Sequence, residues 1–489
     1  VRMPGWGVYA RDQWQVTRNL TVNFGTRFER YPFAKRDHRG AERYDPVIDR
    51  VLIGGLGSTP EDTGVDVGFG QFAPRLGIAY RATEKTVVRL GYGISVDPNS
   101  FRNMRDAYPA TISLQLSGAT SFQSAGTLKD GLPPIVSPDI SSGSIALPTA
   151  IGTQTFPEVF NRGYIQSFNL TVQRDLGWGF TAQAGYVGSR AIRQTANVNI
   201  NAGEVGLGNA GRALAKFGRI ANINMLVPFN TATYDSLQTQ LNRRLNPSAQ
   251  IGLTYTFSKA IGYADQSDSG LTFNSVSQWA RNRALAGFDR THNLQIYGVY
   301  ELPFGKGRAW LGNLPYALDA ALGGWTLTGI NAMYSGQAVN FRYTPSPVTA
   351  NLASFLGGIA LRPNLVGDPL LSNGRTIDRW FNTEAIRLPT QDQPFGNAGR
   401  NIGRGPSVYQ FDLGLQKSFA VPVINESSKL EFRAEFFNLL NKTNFGTPSG
   451  TATGIVFNAD GTLRTAGGFG TIRSTLQARQ IQFALKLSF

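Results

Sequence analysis

The C-terminal stretch from Ala478 to Phe489 alternates with a period of two. Ile481, Phe483, Leu485, Leu487 and Phe489 fall on one side, and Gln480, Gln482, Ala484, Lys486 and Ser488 on the other. Only a β-strand presents such a series as two faces. One face needs an apolar surrounding and the other needs water or polar contents. A wall between lipid and a wet lumen meets both needs, and so does a strand of a soluble sandwich, so this segment alone leaves both open.

The same pattern recurs along the chain. Trp6 to Val16 and Leu20 to Tyr31 form a hairpin with Val8, Ala10, Trp14, Val16, Leu20, Val22, Phe24 and Phe28 in parity. Asp12 interrupts its apolar side. Further pairs are Phe72 to Tyr80 with Thr86 to Ser95, Tyr164 to Arg174 with Phe180 to Arg190, and Tyr234 to Leu245 with Gln250 to Ala260. Asp289 to Leu302 and Leu322 to Ser335 alternate less clearly. Phe411 to Phe419 leads through a turn over Pro422 to Ser428 into Leu430 to Phe436, where Glu431, Arg433 and Glu435 take the polar side.

The connections decide between the two readings. Every second one is short, and those between are long: Pro32 to Gly70, Val96 to Gly163, Ala191 to Thr233, Ile261 to Phe288, Gly336 to Ser407 and Asn438 to Gly468. Soluble sandwiches do not sort loop lengths to opposite ends so regularly, whereas outer-membrane barrels have short periplasmic turns and long extracellular loops. Strands of about ten tilted residues also match the apolar band of such barrels. Trp14, Tyr31, Tyr80 and Trp178 lie near strand ends, where aromatic girdles sit. The fold class expected is therefore all-β, an antiparallel transmembrane β-barrel of the outer-membrane type.

Composition agrees. Of 489 residues, 56 are glycine, 11% are aromatic and only 16% are charged, which describes strands and turns. No run of about 18 apolar residues occurs, so transmembrane helices are excluded while a barrel is not. The formal charge of +15 comes from scattered residues without the clustered face that nucleic acid needs, so no nucleic-acid partner is expected. A basic lumen, or a rim facing anionic lipopolysaccharide, accounts for it. There is no cysteine, and the chain opens at Val1 without a signal peptide. About thirteen strands are countable, and closed bacterial barrels have an even number, so at least one more strand is expected ahead of Val1.

At this point the residues resemble a known family. The hairpin "YARDQWQVTRNLTVNFGTRFERY" from Tyr9, "FRAEFFNLLNKTNFGTP" from Phe432 and the closing aromatic are similar to the C-terminal barrel of TonB-dependent outer-membrane receptors. Within them, "PRLGIAY" at Pro74, "YVGSR" at Tyr186, "YTFSKAI" at Tyr255, "FDRTHN" at Phe288, "YELPFGKGR" at Tyr300, "GGWTLTGI" at Gly323, "RPNLVGDP" at Arg362, "WFNTEAI" at Trp380 and "GNAGRNIGRGP" at Gly396 resemble the Oar-like branch common in acidobacteria. The resemblance spans nearly the whole of residues 1–489. It implies a barrel of about 22 strands, of which this is the C-terminal portion. It also implies a plug domain and a box for the TonB complex, neither of them in this sequence. Phe489 would be the signal read by the outer-membrane assembly machinery.

The expected role is the wall and extracellular loops of a transporter for an unidentified solute. The alternative is a structural or adhesive barrel that binds an extracellular partner through its loops. No enzyme activity, cofactor or metal is expected. His38 and His292 are the only histidines and lie at different loop ends, which gives a histidine metal site or a triad poor prospects. Asp265 to Gly270 has half a calcium loop but lacks the distal Glu. Gly396 to Gly405 follows no strand into a helix, which favours a permissive loop over a phosphate nest. Candidate solute contacts are Arg375, Arg379, Trp380, Arg400 and Arg404, cations with one large aromatic at the outer mouth. The competing reading of these five is that they pack the loop onto itself.

Overall fold

The structure is a computed structural model. It describes residues 2–36, 40–98, 127, 129, 131, 138–203, 208–246, 248–265, 276–343, 362–388, 395–420, 428–452, 454–459 and 462–489. His38, most of the calcium-like stretch and the turn after Ala420 lie outside these residues.

Thirteen strands follow one another in a single antiparallel sheet, each beside the next in chain order. They are β1 (Trp6–Thr17), β2 (Leu20–Arg30), β3 (Gln71–Thr83), β4 (Thr86–Val96), β5 (Tyr164–Gly177), β6 (Phe180–Asn199) and β7 (Ile223–Asn246). Then come β8 (Ala249–Gly262), β9 (His292–Glu301), β10 (Trp325–Tyr334), β11 (Val408–Ala420), β12 (Lys429–Phe437) and β13 (Gln480–Ser488). Among the described residues no helix is long and apolar enough to cross a membrane.

The register keeps the faces that alternation predicts. Val22, Ile78, Leu90, Leu170, Tyr186, Leu237 and Phe257 stand opposite one another across seven strands, ending at His292 on β9. A shift of one residue anywhere would have put polar groups into this row. Its large side chains stay exposed, Leu170 at 48% and Leu237 at 47%, because the sheet itself puts nothing over them. Several polar groups on this face meet in pairs. Asn331 donates to the Tyr409 hydroxyl at 2.8 Å, and Tyr255 Oη lies 2.8 Å from His292 Nδ1. Near the long-loop end, Asp235 takes hydrogen bonds from Tyr186 and Arg190. Asp12 accepts from the Gln13 backbone N–H at 2.7 Å. The other face carries its own polar network, with Arg89 donating to Gln173 at 2.7 Å and Gln240, Asn242 and Tyr297 joined through the tyrosine hydroxyl.

Two expectations are corrected. Residues 191–233 are not wholly loop, because β6 and β7 pair on to Asn199 and Asn224. Ala196, Val198, Ile223 and Leu226 are buried there by neighbouring connections. The polypeptide before β10 is also not strand at Leu322. Tyr316–Leu322 is an α-helix, ended at Gly323, and the strand starts at Trp325.

The long connections pack into a cap at one end of the sheet. One lobe gathers Phe33, Phe156, Phe160 and Leu226, with Tyr44, Val51, Leu214 and Ile223 in an adjoining cluster. A second lobe gathers Val339, Phe341, Phe381, Ile386, Ile455 and Phe469 from the last two long connections.

An apolar face with nothing over it belongs in lipid, and this sets the penalty for a charge on it. Leu485→Arg is expected to destabilise the protein by about 2 to 4 kcal/mol if the residue lies near the bilayer midplane, while Gln482→Arg on the opposite face is mild. Unfolding titrations in lipid vesicles measure both, and equal losses would invert the register of β13.

Candidate functional site

Two surfaces are available to a solute. The first is the polar face of the wall, where β1 to β3 border a cavity of about 810 Å³ lined by Tyr9, Arg11, Gln13, Asn23, Arg27 and Arg75. Asp12 also borders it, and Arg27 is paired with Glu29 at 2.6 Å, so the three arginines here face two carboxylates. The second is the cap, and its geometry separates the five candidate residues.

Arg375, Trp380 and Arg404 are brought together. The Arg375 guanidinium lies over the Trp380 ring, 5.4 Å from its centroid, and its Nε donates to the Leu371 carbonyl at 2.6 Å. The Trp380 indole N–H donates to the Arg404 carbonyl at 2.7 Å. The Arg404 side chain turns down to the root of β9, where it donates to Asp289 Oδ2 at 2.7 Å and to Thr291 Oγ1 at 2.9 Å. Asp289 is almost fully buried, so this pair is a tie between cap and wall. Arg379 stands on the turn that precedes Trp380, exposed, with Glu384 at 3.6 Å.

Arg400 is elsewhere. It is 4% exposed, and its donors go to Asp265 Oδ1 at 2.8 Å, to the Asn282 carbonyl at 2.8 Å and to the carbonyls of Gly262 and Ala284. It joins the end of β8 to the connection that follows β10. Of the five, Arg375 and Arg379 are exposed at the surface of the cap, Trp380 is partly buried, and Arg400 and Arg404 have their guanidinium groups engaged in holding it.

The segment around Arg400 is an acceptor for cations. Arg281 donates to the carbonyls of Gly396 and Ala398, and Arg362, fully buried, donates to the Gly399 carbonyl at 2.8 Å and to Asn340 Oδ1 at 2.6 Å. Burial first, and then the charges of Arg281, Arg400 and Arg342, push the Arg362 guanidinium down to about 9. It is still charged at neutral pH. The glycines here let chain approach chain: a Cβ at Gly403 would sit 2.7 Å from the Phe341 ring and 3.0 Å from that of Phe381.

The first lobe is tied by an arginine that sequence reasoning missed. Arg219 is fully buried, with Nε 2.6 Å from Asp49 Oδ1, Nη2 donating to the Leu147 carbonyl at 2.8 Å and Nη1 to those of Pro148 and Ile151. The Tyr44 hydroxyl donates to the same Asp49 oxygen at 2.5 Å. Burial and then the carboxylate it faces push the Tyr44 hydroxyl well above its ordinary value. No spacing in the sequence announces Arg219, because its partners lie in other connections. Among the described residues no cluster of histidine, aspartate and glutamate could hold a metal ion.

Comparison with known proteins places this architecture. A family described as the outer membrane beta barrel domain matches residues 1–482. No curated protein matches the chain. Among solved structures, the ferripyoverdine receptor of Pseudomonas aeruginosa bound to ferripyoverdine is similar at 12% identity with a TM-score of 0.44, over 99% of this chain and 38% of that one. The ferric citrate transporter FecA in its unliganded form is similar at 11% identity with a TM-score of 0.42, over 98% and 44%. A mutant of the ferric enterobactin receptor PfeA from Pseudomonas aeruginosa gives 10% identity and a TM-score of 0.48, over 99% and 44%. The chain spans less than half the length of each of these structures. The family match covers nearly every residue of the sheet and cap, and by it the chain belongs to the outer membrane β-barrel domain family, a protein of the outer membrane.

Proposed function

We propose that the chain is the wall and extracellular cap of a TonB-dependent, Oar-like transporter that takes up a solute at the cell surface. The observation that carries this reading is the asymmetry of the sheet's two ends. Four tight turns lie at one end, after Thr17, Thr83, Gly177 and Asn246, and folded lobes with exposed cations and a partly buried indole crown the other. A merely structural wall has no need of a folded cap with exposed cations above a polar face. In this reading the thirteen strands are part of a closed barrel of about 22 strands. The TonB complex engages a region outside this sequence. Lipopolysaccharide borders the rim, and Phe489 is read by the assembly machinery.

The five candidate residues divide by role in this proposal. Arg375, Arg379 and the face of Trp380 meet an anionic or glycan-like solute, while Arg404 and Arg400 fix the loop that presents them. Alanine at both Arg375 and Arg379 in the full-length protein is expected to weaken TonB-dependent uptake by about tenfold for each charge-assisted hydrogen bond lost. The amount of folded barrel should not change. Uptake of the physiological solute at the wild-type rate, with normal barrel levels, would remove these residues from the binding mouth.

A further inference from the structure

One connection at the tight-turn end breaks the rule of that end. Between β9 and β10 the chain runs through 302–324 instead of a two- or three-residue turn. Its first half is a tight loop, with positive φ at Gly305 and Gly307 and with the Trp310 N–H donating to the Pro303 carbonyl at 2.9 Å. Its second half is the helix Tyr316–Leu322. The two halves touch, since a Cβ on Gly305 would lie 2.5 Å from the Gly323 Cα and Asp319 Oδ1 accepts from the Lys306 N–H at 2.6 Å.

The side of the wall on which this unit rests is fixed by two hydrogen bonds. Trp325 donates its indole N–H to the Ala321 carbonyl at 2.8 Å, and Lys417 donates to the Ala320 carbonyl at 2.6 Å. Trp325 and Lys417 stand opposite each other in the register, and Lys417 is opposite Phe432, whose ring stacks with Phe483. All four are on the apolar face. The last turn of the helix therefore lies against the lipid side of the wall, where its unpaired carbonyls meet a cation as a helix C-terminus favours.

From there the unit turns apolar groups outward. Leu318 and Leu322, one helical turn apart, are 49% and 48% exposed, and Trp310 is 60% exposed. Lys306 and Arg308 are exposed on the same loop, Arg308 lying 2.8 Å from Glu301 at the wall. Apolar side chains flanked by an indole and cations, continuous with a lipid-covered face, make the pattern of a segment seated in the headgroup layer.

We propose that residues 302–324 form a foot that binds the phospholipid headgroups of the leaflet at the tight-turn end, with Trp310, Leu318 and Leu322 in the acyl boundary and Lys306 and Arg308 at the phosphates. This rests on the membrane placement of the wall, and the test separates the two. The chain has no cysteine, so single cysteines can be placed at Leu318, Leu322, Arg18 and Leu485 of the protein without removing any. Each is labelled with a polarity-sensitive fluorophore in vesicles of phosphatidylethanolamine and phosphatidylglycerol. Quenching by aqueous iodide is then compared with quenching by lipids spin-labelled near the headgroup.

L485C reports the wall and R18C a water-facing turn. The proposal expects L318C and L322C to lose most of the iodide quenching seen at R18C and to gain quenching from the spin-labelled lipid. Iodide quenching at L318C and L322C equal to that at R18C would overturn the foot and leave the wall intact. A label shielded from iodide and lipid alike would also overturn it, since protein would then cover the helix. Iodide quenching at L485C equal to that at R18C would overturn the membrane placement, and the foot with it.

Discussion

Arg219→Ala is expected to open the first lobe of the cap, destabilising it by about 3 to 5 kcal/mol, because it leaves a mostly buried carboxylate facing a buried tyrosine hydroxyl with no cation. Three carbonyls and one carboxylate each lose a donor at once. Hydrogen exchange of residues 40–65 and 140–225 in the folded protein should accelerate, while exchange in β1 to β5 stays slow. Pairing Arg219→Met with Asp49→Asn should recover part of the loss, since the stranded charge is removed as well. Undiminished protection in the single variant would show that the lobe is held by its aromatic cluster alone.

Acid should act on the same tie. Burial by itself would raise the Asp49 carboxyl, but hydrogen bonds from Arg219 and Tyr44 outweigh it and hold the group below the ordinary carboxylate range. The folded value is the lower one. The network therefore contributes fully above the unfolded value of about 3.9 and is lost as the pH falls through the folded value. Exchange in the first lobe should quicken at acid pH in the wild type and change less in the paired variant.

Phe341→Ala is expected to loosen the second lobe by about 3 to 5 kcal/mol. The ring is fully buried and meets Phe381 at 4.8 Å and Phe469 at 5.1 Å between centroids, so its removal empties the middle of the cluster. Phe341→Leu should cost less. The effect should reach Trp380, which is bonded through its backbone to Gly470 and is adjacent to Phe381. Exchange at 338–343, 380–388 and 403–405 measures the loss. If those segments keep their protection in the alanine variant, the aromatic cluster does not organise the lobe.

The wall was legible in the sequence because each of its side chains meets one of two solvents. Where that condition holds, as from Leu237 to Leu241, polarity alternates and the strand can be read. It fails at the far ends of β6 and β7. There Thr195, Ala196, Val198 and Asn199 are all buried, so both faces meet protein and the contrast vanishes. The helix at Tyr316 escaped notice because seven residues are too short for a helical period to stand out. The five candidate residues share one long connection, but the sequence could not say which guanidinium would be engaged. Arg400 finds Asp265 across 135 residues, and no local pattern encodes such a partner.

That distance has a consequence for the order in which the molecule takes shape. Wall strands pair with their neighbours in chain order, so each addition closes a loop already anchored at one side. The cap is stitched by residues far apart: Arg43 to Glu158 across 115 residues, and Arg219 to Asp49 across 170. On a free chain, bringing such ends together costs entropy with nothing yet formed to offset it. Once the strands are zipped, the roots of those connections already stand side by side and the closure is short. The cap is therefore expected to close after the wall strands have paired.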